Sequence, residues 1–476
     1  MSASKRNILL IWTSFDIPNV NFLPIGYGYI ASNMGSAYEV ELLDYALRGF
    51  SEDDLLHAVK LYDPIVIGVS LWEINFKNVQ NIVSLVKKHF PKAIVVIGGP
   101  SASTRANGAL DMIDADFAIQ GEGERSLEML CDIVASDRLN DTERLNTVPG
   151  IVYYNTSDKK YISKPIQPLD LRGINYPDYE KIRVREYIRK GYTYGYFSKD
   201  VKNLPIITTR GCPYSCNYCS ARYIHGREIR TRLVKDITDE IAFLYDRYSI
   251  RGINIIDDNF TFNKDFVIEF CTEIENRKDR LANLHIGTPN GVRVEKLGDT
   301  VLKNMKMAGW EYIAIAPESG SESTLRRMNK KISLKQVVDQ VSRIQKFGFR
   351  VFAFFIIGYP GETTEDVMKT IHFACSLPFD QITFSPFNPL PGTPVYDALL
   401  KSGEIDPGYS SANYFNITFS PSGMMVSELK RLHRYALYRS ILLSPRRLLF
   451  FVKAYSFRRV FNYTRFYFQK NAAEKR

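Results

Sequence analysis

The run Arg210-Gly211-Cys212-Pro213-Tyr214-Ser215-Cys216-Asn217-Tyr218-Cys219 places three cysteines at C-x₃-C-x₂-C spacing in one short loop, directly after the apolar run 205–209. Three is odd and the intervening residues are few, so the loop cannot join all three as disulfides. It can converge three thiolates on one small cluster. A [4Fe–4S] cube has four iron corners and normally takes four cysteines. Three ligands leave one iron open, and an open position is how a metal site keeps room for a substrate or cofactor. The competing reading is structural zinc, with His225 as a fourth ligand beside Cys212, Cys216 and Cys219. Zinc knuckles usually present C-x₂-C pairs rather than this asymmetric triple, which favours iron and sulfur.

The other cysteines, Cys131, Cys271 and Cys375, are scattered through apolar helical patterns and read as buried small hydrophobes. That usage suits a reducing compartment. A length of 476 residues predicts two or three domains, and 45% apolar with 24% charged residues is ordinary for a soluble globular chain. The first strand is too short for a signal-peptide core, and no apolar run approaches the ~20 residues of a spanning helix. The expected location is the cytoplasm. The net charge of +10 is a property of the tail: from Val426 onward 13 Lys and Arg face only Glu428 and Glu474. The remaining chain is near neutral, which gives no support for nucleic-acid binding.

Taken in order, residues 7–12, 38–45, 65–71, 93–97 and 117–120 read as strands, with helical patterns between them. Alternation of this kind means βα units and a doubly wound parallel sheet. Such sheets bind ligands at the carboxyl ends of their strands. Here those ends carry Gly68, Gly98, Gly99, Gly121, Gly123 and Ser70, small residues that let a bulky group approach the backbone. No G-x-G-x-x-G follows the first strand, so a dinucleotide is not expected. Residues 148–164 read as a hairpin within a Pro-rich linker. Further strands at 204–209, 252–256, 284–287, 312–316, 350–357 and 381–384 give about six βα units, a partial barrel of the TIM type. Polar residues follow its strands: Asp257-Asp258-Asn259, Arg293, Glu318-Ser319-Gly320-Ser321 and Gly358-Tyr359-Pro360-Gly361-Glu362. Ser444-Pro445 reads as the start of a tail helix carrying Leu448, Leu449, Val452 and Tyr455, with Arg and Lys on its other side.

The cysteine loop resembles that of the radical S-adenosylmethionine enzymes. Pro24-x-Gly26 before the first helix, Gly98-Gly99-Pro100 and Gly121-Glu122-Gly123-Glu124 resemble the cobalamin-binding domain ahead of many such cores. The resemblance spans most of residues 5–400. It implies a cobalamin-binding Rossmann-like domain over 1–145, a linker over 146–203, a partial (β/α)₆ radical core over 204–400 and a basic aromatic helical region over 401–476. The histidine motif Asp-x-His-x-x-Gly is absent, so a corrinoid's lower axial face is not expected to be held by histidine.

For site residues the resemblance implies Cys212, Cys216 and Cys219 on a [4Fe–4S] cluster, with Tyr218 the aromatic before the third cysteine. Asp257 and Asp258 would meet the methionine ammonium of S-adenosylmethionine, and Arg293 its carboxylate, for which a guanidinium fork is well shaped. Glu318 and Ser319 would approach the ribose, and Gly358 the adenine. Ser70, Gly98, Gly99, Gly121, Glu122 and Gly123 would line the cobalamin. No acid or base catalyst is assigned. The implied activity is transfer of a methyl group from methylcobalamin to an unactivated carbon opened by a 5′-deoxyadenosyl radical. The rivals are an oxidative cyclase of the magnesium-porphyrin type and a zinc-stabilised, non-enzymatic binding protein. Implied partners are a small-molecule substrate, such as a lipid, isoprenoid or tetrapyrrole, and an external one-electron reductant such as flavodoxin or ferredoxin. For the tail, a docked helix with a solvated basic face competes with contact at a membrane surface.

Overall fold

The computed structural model describes residues 5–14, 22–105, 107–192, 194–198, 200–409, 417–445 and 447–449. Two compact units are interleaved along the chain. One comprises 1–192, 209–237 and 388–418, the other 193–208, 238–387 and 419–476.

The first unit is built on strands β1 (Arg6–Trp12), β2 (Tyr38–Asp44), β3 (Val66–Ser70), β4 (Val95–Gly98), β5 (Phe117–Ile119), β6 (Ile151–Asn155) and β7 (Lys160–Ser163). Their order is β2-β1-β3-β4-β5-β6-β7. The first five run parallel. Parallel strands are covered on both faces, which is why β1 is a continuous apolar run with Ile8, Leu9, Leu10 and Ile11 at most 1% exposed. The crossover helices seal those faces. In the helix Phe76–His89 the buried set Val79, Ile82, Val83 and Val86 recurs at helical spacing. The helix Glu52–Tyr62 starts where the Ser51 hydroxyl accepts from Asp54 N at 3.3 Å. The chain leaves β1 for β2 on one side and β3 for β4 on the other, so the crevice between the carboxyl ends of β1 and β3 is a topological switch point. The hairpin expected in the linker extends this sheet: β6 pairs antiparallel with β5, and β7 with β6.

In the second unit, β8 (Asn203–Ile206) leads towards the cysteine loop. That loop hangs from a two-stranded ribbon of β9 (Thr209–Arg210) and β10 (Arg230–Thr231), which belongs to the first unit. The sheet of the second unit continues through β11 (Gly252–Ile255), β12 (His285–Val292), β13 (Trp310–Glu318), β14 (Arg350–Ile357) and β15 (Gln381–Pro386). All six strands are parallel and lie side by side in sequence order, the arrangement of a partial barrel. The helix Val426–Ile441 buries Leu429, Leu432 and Ala436 in this unit. Burial lowers the pKa of His433, so its neutral ring donates from Nε2 to the Phe384 carbonyl at 2.9 Å.

The helix expected from Ser444-Pro445 lies mostly outside the described residues; Arg431 and Arg434 of the preceding helix Val426–Ile441 are exposed, as on a solvated basic face. Arg447 departs from it. Its buried guanidinium donates to the carbonyls of Leu377 at 2.8 Å and Phe379 at 3.1 Å, just past the helix Thr364–Ser376, where carbonyls lack helical partners. Val452 and Tyr455 lie outside the described residues.

At the end of β2, Asp44 caps a short helix through Leu47 N at 3.0 Å and accepts from the Tyr187 hydroxyl at 2.8 Å. Burial pushes its pKa up to about 6 despite these bonds. A carboxyl raised in the folded state favours folding fully below about pH 4, and that contribution fades as pH rises through about 6. Asp44→Asn is therefore expected to gain on the order of 2–3 kcal/mol relative to the wild type between acidic and neutral pH. Denaturant titrations of both proteins at about pH 4 and pH 8 check this; parallel stability curves would refute it.

Candidate active site

The cysteine loop is closed at its base by β9 and β10, with Arg210 opposite Arg230 and Thr209 opposite Thr231. Gly211 has φ +102°, and a Cβ there would lie 2.0 Å from the Glu228 carbonyl oxygen, so glycine alone lets the loop leave the ribbon. Cys212 N donates to Gly226 O at 3.2 Å and Cys219 N to Cys216 O at 3.3 Å. Cys212, Cys216 and Cys219 are half-buried and outside any disulfide, and Tyr218 is half-buried as well.

Two arginines directly across a ribbon repel one another. Glu122 and Glu124, which follow β5, compensate them. Arg210 Nη2 lies 2.7 Å from Glu124 Oε1, and Arg210 Nη1 lies 3.2 Å from Glu122 Oε1. Arg230 forks onto both Glu122 oxygens at 2.8 and 2.9 Å. The Tyr29 ring lies under the Arg210 guanidinium at 5.0 Å. Arg210, Glu122 and Glu124 are 5%, 9% and 6% exposed. Burial alone would raise the Glu122 pKa; its bonds to Arg230 and the charge of Arg210 outweigh that and hold it below the usual carboxylate range. Glu122 therefore stands among arginines, with the Leu169 amide as a further donor at 2.6 Å.

The other residues assigned to cobalamin gather at neighbouring strand ends. Ser70 closes β3, and its hydroxyl accepts from Trp72 Nε1 at 3.1 Å. Gly98 closes β4, and a Cβ there would meet nothing nearer than Ile119 O at 3.9 Å. Gly99 has φ +93° and would press a Cβ onto the Ser70 hydroxyl. Gly121 N donates to the Ser103 hydroxyl at 2.9 Å, and Gly123 opens the next helix. Beside them a buried pair that sequence reading missed, Glu73 and Arg105, closes at 2.6 Å. Gly392, in the Pro-rich loop after β15, would bring a Cβ within 2.2 Å of Thr104 O, so that loop also rests on this unit.

In the second unit the assigned residues follow β11 to β14. Asp257 is 5% exposed and accepts from both the amide and the hydroxyl of Thr208, the amide at 2.7 Å. Its carboxylate thus braces the chain after β8, while Asp258 is half-buried beside it. Arg293 pairs with Glu295 at 2.6 Å and donates to Lys330 O at 2.9 Å. Glu318 ends β13 at φ +71°, a rare conformation for a side chain, and pairs with buried Lys330 at 2.9 Å. Ser319 is fully buried, its hydroxyl 2.9 Å from Thr370 Oγ1. Gly358 has φ +81°; its amide and that of Tyr359 donate to Glu362 Oε2 at 2.8 and 2.9 Å. Burial lifts the Glu362 carboxyl to about 7.

The fit of each group can be tested on these residues. Three cysteines outside any disulfide in one loop offer the ligand set of a cluster with an open iron. Among the described residues no three His, Cys, Asp or Glu converge as on a single ion; a cube spreads its corners more widely than one ion does. The Asn259 amide atoms and Thr261 Oγ1, in the segment after β11, and Thr288 Oγ1, in the middle of β12, are buried without hydrogen-bond partners. Such atoms suit a ligand rich in donors and acceptors, as S-adenosylmethionine is. The open face at Gly98 suits a flat, bulky group against the sheet.

Gly358→Ala would put a Cβ 2.5 Å from Leu429 Cδ2 at a left-handed φ and is expected to cost about 1–3 kcal/mol. Gly108→Ala, with nothing within 4 Å, should be neutral or slightly stabilising. Denaturant midpoints compare them, and equal midpoints would contradict the strain at Gly358.

The Radical SAM superfamily model matches residues 206–374, and the B12 binding domain model matches residues 19–130. An uncharacterized methyltransferase of Pyrococcus horikoshii is 28% identical, over 79% of this chain and 78% of its own length. The anaerobic magnesium-protoporphyrin IX monomethyl ester cyclase of Rubrivivax gelatinosus is 25% identical, over 86% of this chain and 72% of its own. The fold is similar to that of the radical S-adenosylmethionine methyltransferase TsrM from Kitasatospora setae, solved with cobalamin and a [4Fe–4S] cluster, with a TM-score of 0.70 and 18% identity over 90% of this chain and 85% of that one. A three-thiol loop, glycine-lined ends on a doubly wound sheet and a parallel six-stranded partial barrel are what the two matched domains require, with [4Fe–4S], S-adenosylmethionine and cobalamin as their cofactors; the chain belongs to the cobalamin-binding radical S-adenosylmethionine family.

Proposed function

We propose that this radical S-adenosylmethionine enzyme is a methyltransferase acting on an unactivated carbon. One observation carries the reading: the cysteine loop and the glycine-lined ends of β3 to β5 share a compact unit and one buried ion-pair cluster. A chain that ties a cluster loop to a corrinoid sheet is equipped to use both groups in one turnover. The methyltransferase name of the Pyrococcus relative and the TsrM fold support it. When bound, the cluster with S-adenosylmethionine supplies a hydrogen-abstracting radical and the corrinoid a transferable methyl group.

The chain's own work is to bind, orient and exclude water. Cys212, Cys216 and Cys219 hold iron, with Tyr218 packed beside the third. Asp258, beside Asp257 fixed by Thr208, would meet the methionine ammonium, and Arg293, paired here with Glu295, would meet its carboxylate. Glu318, held by Lys330, and Ser319 would take the ribose side, and the backbone at Gly358, whose Cβ position is filled by Leu429, would lie by the adenine. Ser70, Gly98, Gly99, Gly121 and Gly123 line the corrinoid, with Glu122 acting through its arginines. The functional division follows 1–145, 146–203, 204–400 and 401–476. The cyclase relative supports a second reading, oxidative ring closure on the same machinery.

The expected partners are an apolar small-molecule substrate and a one-electron donor such as flavodoxin or ferredoxin, with the chain in the cytoplasm. Among the described residues no helix is long and apolar enough to cross a membrane. The C-terminal helix instead suits an anionic phospholipid surface. Tyr435, Tyr438, Leu442, Leu443 and Leu449 are 36–61% exposed, beside exposed Arg431 and Arg434.

Anaerobic reconstitution with iron, sulfide and hydroxocobalamin should give about four irons and one corrinoid per chain, and methyl-labelled S-adenosylmethionine should label the product. Loaded enzyme whose product carries no label would favour cyclisation, and zinc alone would overturn the radical reading. Flotation with vesicles of phosphatidylglycerol should carry the wild type but not Tyr438→Glu/Leu442→Glu; equal flotation would sink the membrane contact.

A further inference from the structure

Arg210 stands two residues before the first cluster cysteine, and its guanidinium turns away from the loop into the carboxylates that follow β5. Loops are ordinarily held by the strands they leave. This one leaves β8 of the second unit, yet from Thr209 to Ile237 it belongs to the first. The contacts that fix it there are ionic, buried and two-pronged: Glu124 and Glu122 on Arg210, Glu122 on Arg230, and Tyr29 beneath. Arg230 also donates to the His225 carbonyl at 2.7 Å, so the far limb of the loop is held by the same carboxylate.

We propose that Arg210 is a positioning residue: held by Glu122 and Glu124, it sets the cysteine loop against the corrinoid end of the first sheet, so that the two cofactors share one frame. This rests on the proposed corrinoid site but goes beyond it, because it assigns Glu122 and Glu124 to the arginines. A guanidinium fork reaches both carboxylates at once, whereas a lysine ammonium satisfies one. Any group that packs on the loop Gly121–Glu124 presses on the same carboxylates that orient Arg210. Occupancy of the sheet therefore stiffens the cysteine loop.

The test uses full-length reconstituted protein and follows iron loss to a chelator, with and without hydroxocobalamin, beside the electron paramagnetic resonance spectrum of the reduced cluster. The variants are Arg210→Lys and the charge-balanced pair Arg210→Met/Glu124→Gln. Wild type should release iron more slowly with the corrinoid bound. The pair should release it about 10-fold faster than wild type, show altered g-values and gain no protection from the corrinoid, with Arg210→Lys between. A folded pair with the wild-type rate, spectrum and protection would overturn the proposal, as would a wild type indifferent to bound corrinoid. If the pair does not fold, Arg210→Lys decides by the same readouts. A wild type that binds no corrinoid in its visible spectrum refutes the corrinoid site instead, and the rates and spectra without corrinoid then decide for Arg210.

Discussion

Two buried carboxylates facing one buried and one half-buried guanidinium are the arrangement on which the rest of this structure turns. Removing four charges from water is costly, and an apolar cluster of the same volume would often be as stable. The quartet of Glu122, Glu124, Arg210 and Arg230 is better understood through direction than through strength. Hydrophobic contacts tolerate sliding, but a forked pair at 2.7–3.2 Å fixes both distance and angle. The ribbon beneath the cysteine loop has only one cross-strand pair besides the arginines, too little to hold a loop by itself. The carboxylates supply the orientation that the backbone lacks.

A comparable logic runs through the ends of β13 and β14. Glu318 is held at a left-handed φ by its pair with Lys330, and Ser321, Thr363 and Arg327 converge on Asp366 at the start of the following helix. Strain kept at strand ends needs surroundings that over-determine it. Here those surroundings are hydrogen-bonded side chains from the next βα unit, so the loop after β13 is clamped by the helix that follows β14.

Much of the fold was legible because its signals are local. Short apolar runs alternating with helical patterns pointed to both parallel sheets, and the spacing of Cys212, Cys216 and Cys219 singled out the cysteine loop without reference to any distant residue. What escaped was long-range pairing. Glu122 looks like a cofactor ligand when read beside its glycines; the arginines that occupy it lie 88 and 108 positions further on. Asp257 and Thr208 are 49 residues apart, and nothing in either stretch announces their bond. The hairpin of β6 and β7 carries strand patterning, but which edge it joins is not encoded in the hairpin. Arg447 reads as one more tail charge until the helix end it caps is known.

The interleaving of the chain bears on how it is made. Glu124 and Arg210 are 86 residues apart, so roughly 4–17 s of synthesis separate them at ordinary elongation rates. During that interval the first five strands can assemble while the carboxylates after β5 still face water. Only when the ribbon emerges does burying them become favourable, and the last piece of that unit, 388–418, arrives later still. The nascent sheet thus keeps its ligand-binding end hydrated until the cluster loop exists to close it, an order of events imposed by connectivity alone.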